Sequence, residues 1–323
     1  MNVTFVRLAR FGTVLALCVV MLGAWVRLHD AGLGCPDWPG CYGRIVVPDQ
    51  ATAARDADYS ARPLVAAKAW REMIHRYLAG SLVLVCVALT ALAWRNRKDP
   101  NQPWRRPVAL LGLILFQALL GMWTVTLLLK PLIVVAHLVG GLATLALLAS
   151  LGEWRIATPP AASARLRTLG LAAAAALALQ ICLGGWTSSN YAALACPDFP
   201  TCQTQWWPAL ADFKEGFVLW RGIGIDYEGG VLDHPARVAV HFTHRLGALF
   251  AALLIAALGA RLAFLPRTRV DGLAVLGVLL LQLTLGVSIV VFGVPLGLAV
   301  AHNGVAALLL LAVLNANQRI WQS

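Results

Sequence analysis

Glu72, His75 and Arg76 enter a long apolar run together, in the stretch Trp70-Arg71-Glu72-Met73-Ile74-His75-Arg76-Tyr77. On a helix the three fall on or beside one face, so a carboxylate, an imidazole and a guanidinium would be held together at the edge of an apolar span. A carboxylate at such a low-dielectric boundary is a candidate proton acceptor, which makes Glu72 the first candidate for catalytic acid–base work. A second His-Arg step, His244-Arg245, stands 169 residues later, with His241 where the first copy has Glu72. His137 and His302 also lie inside apolar runs, 165 residues apart.

The elements that must position these residues are membrane helices. Of 323 residues, 59% are hydrophobic and 13% charged, far from the balance of a soluble domain. Eight apolar windows of spanning length occur, at 8–28, 72–94, 107–128, 131–151, 166–187, 237–263, 271–292 and 295–317. Backbone groups in lipid must bond within their own segment, and no alternating strand pattern appears, so the windows predict an all-α integral membrane protein. The net charge of +11 does not mark a nucleic-acid partner. With the N-terminus inside, the inner segments hold 14 basic and three acidic residues, while the remaining 12 of each sign cancel outside. That is the positive-inside pattern of a multi-pass protein whose partner is the bilayer. It predicts cytoplasmic termini and two long outer loops, 29–70 and 188–236. A basic segment before an apolar run can also be a cleaved signal peptide, but this run reaches Val26 and its end is echoed in the second half.

That echo is part of an internal repeat. Gly23-Ala24-Trp25 and Cys35-Pro36-Asp37-Trp38-Pro39-Gly40-Cys41 return 161 residues on, as Gly184-Gly185-Trp186 and Cys196-Pro197-Asp198-Phe199-Pro200-Thr201-Cys202. Gln117-x-x-x-Gly121 returns as Gln282-x-x-x-Gly286 at the 165-residue offset of the second histidine pair. Ordered matches of this kind predict a tandem duplication of a four-helix unit, 1–158 and 159–323, with a boundary at Pro159-Pro160. Because four is even, both copies run in one orientation, related by a pseudo-twofold axis along the membrane normal.

Counted from Pro131 and Pro295, His137 and His302 lie about 10 Å below the outer surface, at ~1.5 Å of rise per residue. His75 and His244 sit a similar depth into their own spans, so each repeat has two histidines at one level. A single such histidine often hydrogen-bonds across helices; two imidazoles facing across a bundle are the axial ligand set of a low-spin haem. Zinc would need more ligands than this neighbourhood supplies. Arg76 and Arg245 are candidates for haem propionates, or else snorkel to the interface. A duplicated site that keeps its histidines but replaces Glu72 by His241 has divided its labour, one pocket carrying electrons and the other doing chemistry.

Of seven cysteines, Cys18, Cys86 and Cys182 fall in apolar spans and are expected to pack as small hydrophobes. The other four form two C-x5-C pairs in outer loops facing an oxidising compartment. They serve either as staples over the mouths of the bundles or as a relay exchanging electrons with thiol–disulfide partners.

With Glu-x-x-His-Arg, a second His-Arg, two further membrane histidines and paired loop cysteines, the chain resembles the heme A synthase family along nearly its whole length. The resemblance implies oxidation of the C8 methyl group of heme O to a formyl, by successive hydroxylations and loss of water, to give heme A for cytochrome oxidase. It implies a resident heme b on His244 and His302, substrate heme O on His75 and His137, an essential acid at Glu72, and pairing of Cys35 with Cys41 and Cys196 with Cys202. It further implies the bacterial inner membrane, heme O delivered by a farnesyl-transferring synthase, and an electron donor or acceptor. A homo-oligomer stays open, and His241 has no role in the pattern. The rivals are a bis-histidine b-type cytochrome in quinol-linked electron transfer, a membrane thiol–disulfide oxidoreductase, and a transporter built on parallel repeats. The first would be expected to stack haems near both faces, the second leaves the histidines unexplained, and the third lacks paired Gly/Pro breaks at mid-membrane.

Overall fold

A computed structural model describes residues 3–54, 62–152 and 163–321. Among them are eight helices long and apolar enough to cross a membrane: α1 (Val3–Leu28), α3 (Ala66–Arg95), α4 (Arg105–Thr126), α5 (Pro131–Leu151), α6 (Ala164–Ser189), α8 (His234–Ala263), α9 (Arg269–Val291) and α10 (Leu296–Trp321). Two short helices, α2 (Gln50–Ala54) and α7 (Phe213–Gly216), lie in the connections after α1 and α6. The protein is therefore an all-α, multi-pass membrane protein, as the apolar windows predict. The expected boundary at Pro159-Pro160 lies outside the described residues.

The helices start where local chemistry allows. Pro131 opens α5 in its first turn, where its missing N–H costs no hydrogen bond. The Asp233 carboxylate accepts from Ala236 N at 3.0 Å to cap α8, and Ser163 Oγ accepts from Leu166 N at 3.3 Å to cap α6. Inside the spans, hydroxyls fold back on the helix carbonyls: Thr13 donates to Ala9 O, Thr144 to Gly140 O and Thr243 to Ala239 O. One boundary differs usefully from the apolar window. α3 begins at Ala66 rather than near residue 72, because its first turns are covered: Ala69 and Met73 are buried with Cys35, Cys41 and Tyr42 of the preceding loop. Glu72 thus sits in the second turn of a helix that is already roofed over.

The chain divides into two compact units. One holds α1, α3, α4 and α5, each packed on the next and α5 closing the ring on α1. The other holds α6, α8, α9 and α10, closed the same way by α10 on α6. The connection between α6 and α8 is shared out, since Trp220–Val231 pack with the first unit. The core of the second unit runs through Leu177, Ile255, Leu258, Leu279, Leu309 and Val313. Near the start of α9 and the end of α10, Arg319 pairs with Asp271 at 2.8 Å, both side chains mostly buried. There α8 and α9 approach so closely that a Cβ on Gly272 would strike the Ala263 backbone and the Gly259 carbonyl.

That contact generates a stability prediction. Gly272→Ala should destabilise the protein by on the order of 2 kcal/mol through overpacking against backbone that cannot yield. Gly277→Ala, on the same helix with nothing within 4 Å of the new methyl, should not. Thermal denaturation of the two variants in one detergent checks the difference.

Candidate functional site

In the first unit His75 projects from α3 and His137 from α5, and the two imidazoles are close enough to interact electrostatically. Each ring rests against a glycine of a neighbouring helix. A Cβ on Gly23 of α1 would lie 3.1 Å from His75 Cε1, and one on Gly121 of α4 would lie 3.5 Å from His137 Cε1. The second unit repeats the arrangement, with His244 of α8 against Gly184 of α6 at 3.2 Å and His302 of α10 against Gly286 of α9 at 3.1 Å. His244 and His302 likewise interact across the bundle. The repeated glycines of the sequence are therefore the seats of the repeated histidines. Each removes one side chain so that an imidazole can stand inside the ring of helices.

These seats fit an axial ligand pair. His75 Nδ1, His137 Nδ1 and His302 Nδ1 are buried without a hydrogen-bond partner, a costly arrangement for a polar atom that has no further task. Among the described residues no three His, Cys, Asp or Glu gather around one point, so each unit offers its imidazoles as a pair within electrostatic range of each other. Two neutral nitrogens in an apolar bundle suit a metal whose other ligands arrive with a macrocycle. The repeated glutamines stand on the same faces as the glycines. Gln282 Nε2 lies 3.2 Å from His302 Nε2, while Gln117 packs against Gly140 and its amide atoms lack partners.

Above each pair sits a disulfide-bonded loop, Cys35–Cys41 in the first unit and Cys196–Cys202 in the second, with Cα separations of 4.8 Å and 4.6 Å. Both loops are folded around an aspartate. Asp37 accepts from Tyr42 N at 2.6 Å and Gly43 N at 2.9 Å; Asp198 accepts from Gln203 N at 2.6 Å, Thr204 N at 2.9 Å and the Thr201 hydroxyl. Burial alone would raise the Asp198 carboxyl, but these hydrogen bonds outweigh it and hold the group below its ordinary value. Arg76 donates to the carbonyls of Asp37, Pro39 and Gly40; Arg245 donates to those of Cys196, Asp198 and Thr201. The guanidiniums expected at propionates are engaged with the loops.

Glu72 and His241 link each loop to its helix. Glu72, 5% exposed, accepts from Cys35 N at 2.8 Å through one oxygen and from Arg76 through the other. His241, 4% exposed, meets the same two neighbours in the second unit: Cys196 N lies 3.3 Å from its Nδ1 and Arg245 Nε 3.3 Å from its Nε2. A carboxylate can accept from both at once, whereas a neutral imidazole has one acceptor nitrogen. The two positions share a structural task, and only the first unit performs it with a charge.

Sequence reasoning missed the strap formed by Trp220–Val231. Arg62 pairs with Glu228 at 3.0 Å and with Asp226, Lys68 with Glu228 at 3.1 Å, and Tyr227 N donates to Leu128 O at 3.0 Å. Lys130, 2% exposed, donates to Gly222 O at 2.9 Å and lies 3.6 Å from the centre of the Trp220 ring. The signal available was the change of offset from 161 to 169, which marks extra length in the connection between the fifth and sixth spans. Of the cysteines in the spans, Cys86 is buried as expected, but Cys18 is exposed on the outer face of α1.

Residues 7–314 match the family COX15-CtaA, described as cytochrome oxidase assembly protein. The chain belongs to this family. Within it, a relative named heme A synthase from Shewanella oneidensis is 44% identical over 97% of this chain and 96% of its own. Relatives of the same name from Rhizorhabdus wittichii and Halalkalibacterium halodurans are 30% and 28% identical over 93% of this chain, covering 89% and 92% of theirs. The match of the cytochrome oxidase assembly family spans both units, so all four histidines and both disulfide loops fall inside it.

The aspartate-centred loops yield a prediction with a pH sign. Because the folded Asp198 carboxyl is held low, its bracing of the loop is present above the ordinary carboxylate range and lost as pH falls through the folded value. Asp198→Ala should therefore speed reduction of Cys196–Cys202 at neutral pH, as read by thiol trapping after graded dithiothreitol. Cys35–Cys41 in the same molecule is expected to keep its rate.

Proposed function

We propose that this chain is a heme A synthase, a membrane oxidoreductase that converts heme O to heme A by taking the C8 methyl group to a formyl. The observation that carries this reading is the set of four glycine-seated imidazoles, paired within each four-helix ring, in a chain of the cytochrome oxidase assembly family. His75 and His137 hold the substrate haem in the N-terminal half, 1–158. His244 and His302 hold a resident b-type haem in the C-terminal half, 159–323. A bound haem supplies the one-electron chemistry that no side chain here can.

What the chain's own groups contribute is placement and proton handling. Glu72 is the candidate catalytic acid–base group of the N-terminal half. Arg76 and Cys35 N fix its two oxygens, so the carboxylate is held beside His75 on the same helix face. The second half has an imidazole at the equivalent position and no carboxylate, which supports assigning chemistry to the first half and electron storage to the second. Any contact of Arg76 or Arg245 with haem propionates competes with the loop carbonyls these residues already serve. The disulfide loops act as staples that fix the helix ends bearing His75 and His244. Their position, with the positive charge gathered at the opposite ends of the helices, supports periplasmic loops and cytoplasmic termini in a bacterial inner membrane. Heme O then comes from a farnesyl-transferring enzyme, and an electron donor or acceptor completes the oxidation.

Two measurements test the division of labour. Glu72→Ala should leave haem bound in the purified protein but lower heme A formation by on the order of 10²- to 10⁴-fold, the usual weight of a positioned acid–base group. Glu72→Gln, which keeps an acceptor for Cys35 N but loses the charge, should be equally inactive; pigment extraction showing unchanged heme A in either would remove Glu72 from the chemistry. His302→Ala should abolish the low-spin spectrum of the resident haem, and a spectrum that survives would mean another ligand.

A further inference from the structure

The two disulfide loops end in the same way. Tyr42 and Gly43, with φ of 54° and 71°, turn the chain so that Cys41 and Arg44 bond backbone to backbone in both directions, at 2.7 Å and 3.2 Å. Gln203 and Thr204, with φ of 53° and 62°, do the same between Cys202 and Gln205, at 2.9 Å and 3.1 Å. Left-handed backbone is unfavourable for a residue with a Cβ, and in each loop the central aspartate holds the turn by accepting from both of its N–H groups. What the turn delivers is the dipeptide after it. Ile45 is 81% exposed and Trp206 77%, with Val46 and Trp207 exposed beside them. The chain is buried again at once, at Val47 and Pro208, so the exposure belongs to a two-residue tip on a pinned loop.

We propose that Ile45-Val46 and Trp206-Trp207 are lipid anchors, inserted into the leaflet on the loop side of the membrane beside the helix that each loop covers. Large apolar side chains held out from a pinned loop mark a contact surface. In the first unit Tyr77 Oη donates to Ile45 O at 2.6 Å, and Tyr77 belongs to an exposed stripe with Trp70, Ile74 and Leu84 along one face of α3. Because Tyr77 lies within the apolar window 72–94, the tip rests alongside the span and not beyond its end. In the second unit Trp207 meets Phe242 of α8 edge-on at 5.2 Å, and Phe242 lies within the window 237–263. Each tip therefore stands where its own helix enters its apolar stretch. The tips share apolarity and exposure but not shape, one being branched aliphatic and the other aromatic. A protein partner reads shape, whereas a leaflet accepts any apolar side chain, and tryptophan suits the headgroup boundary. Arg44, exposed just before the first tip, is placed for lipid phosphates.

The test places the photoreactive residue benzoylphenylalanine at position 45 or 206 of the full chain in cell membranes. Irradiation should join both positions to phospholipid, read by mass spectrometry as an adduct of lipid mass on the tip peptide. The same residue at position 101, where exposed Asn101 stands in the polar connection between α3 and α4, should give no such adduct. A cross-link to a second copy or to another protein overturns the proposal, as does a probe left unreacted at the tips or a lipid yield at position 101 equal to theirs. If the bulky residue at position 206 prevents the Cys196–Cys202 bond from forming, Trp206→Phe keeps an apolar ring there. In vesicles containing phosphatidylcholine brominated near the acyl carbonyls, the tryptophan emission lost in Trp206→Phe should be the part that bromine quenches in the parent. Loss confined to emission that aqueous iodide quenches overturns the anchor.

Discussion

The structure depends on standing imidazoles inside rings of apolar helices. A polar ring has no water to fall back on there, and an unpartnered nitrogen costs free energy unless something else uses it. The fold meets this by removing bulk rather than adding polarity. Gly23, Gly121, Gly184 and Gly286 each clear the place where a histidine stands, and three of the four Nδ1 atoms keep no protein partner. Glycines serve close packing elsewhere too, as at Gly259 and Gly272, but there they meet a leucine side chain and backbone and not an imidazole.

Duplication then supplies a comparison internal to the molecule. The two disulfide loops share their aspartate core, their arginine clamp and their attachment to the helix below. What differs is the group that makes the attachment. Glu72 accepts from two donors and brings a charge; His241 stands at the same crossing with one acceptor to offer. A buried carboxylate beside a guanidinium is stabilised by that pairing and destabilised by desolvation, a balance that seldom favours the pair for stability alone. Its presence in one half and not the other is what sets the halves apart chemically.

The spans, the histidines and the cysteine pairs were legible because each leaves a periodic or repeated mark: apolar windows of membrane length, and matches at constant offsets. The seats were half legible. Gly23 and Gly121 could be recognised as repeated, but not as the contacts of His75 and His137, because the partners lie on different helices. Comparison of the copies hid what had diverged. Ile45-Val46 and Trp206-Trp207 stand at matching places in the two halves but share no residue, and so register as mismatches. Arg76 and Arg245 looked free for an anionic ligand, since backbone carbonyls of a folded loop carry no sequence signature. The strap had no periodicity at all, and its anchors Arg62, Lys68 and Lys130 are 92 to 166 residues from the groups they meet.

That strap makes the two halves inseparable in a way the duplication alone does not suggest. Lys130, almost wholly enclosed, finds its carbonyl and aromatic company in Gly222 and Trp220, which the ribosome adds after the fifth spanning helix is complete. A fragment ending at α5 would leave this ammonium without its cover and Arg62 and Lys68 without their carboxylates. In the present chain the earlier-made half waits on the later one for its finishing piece.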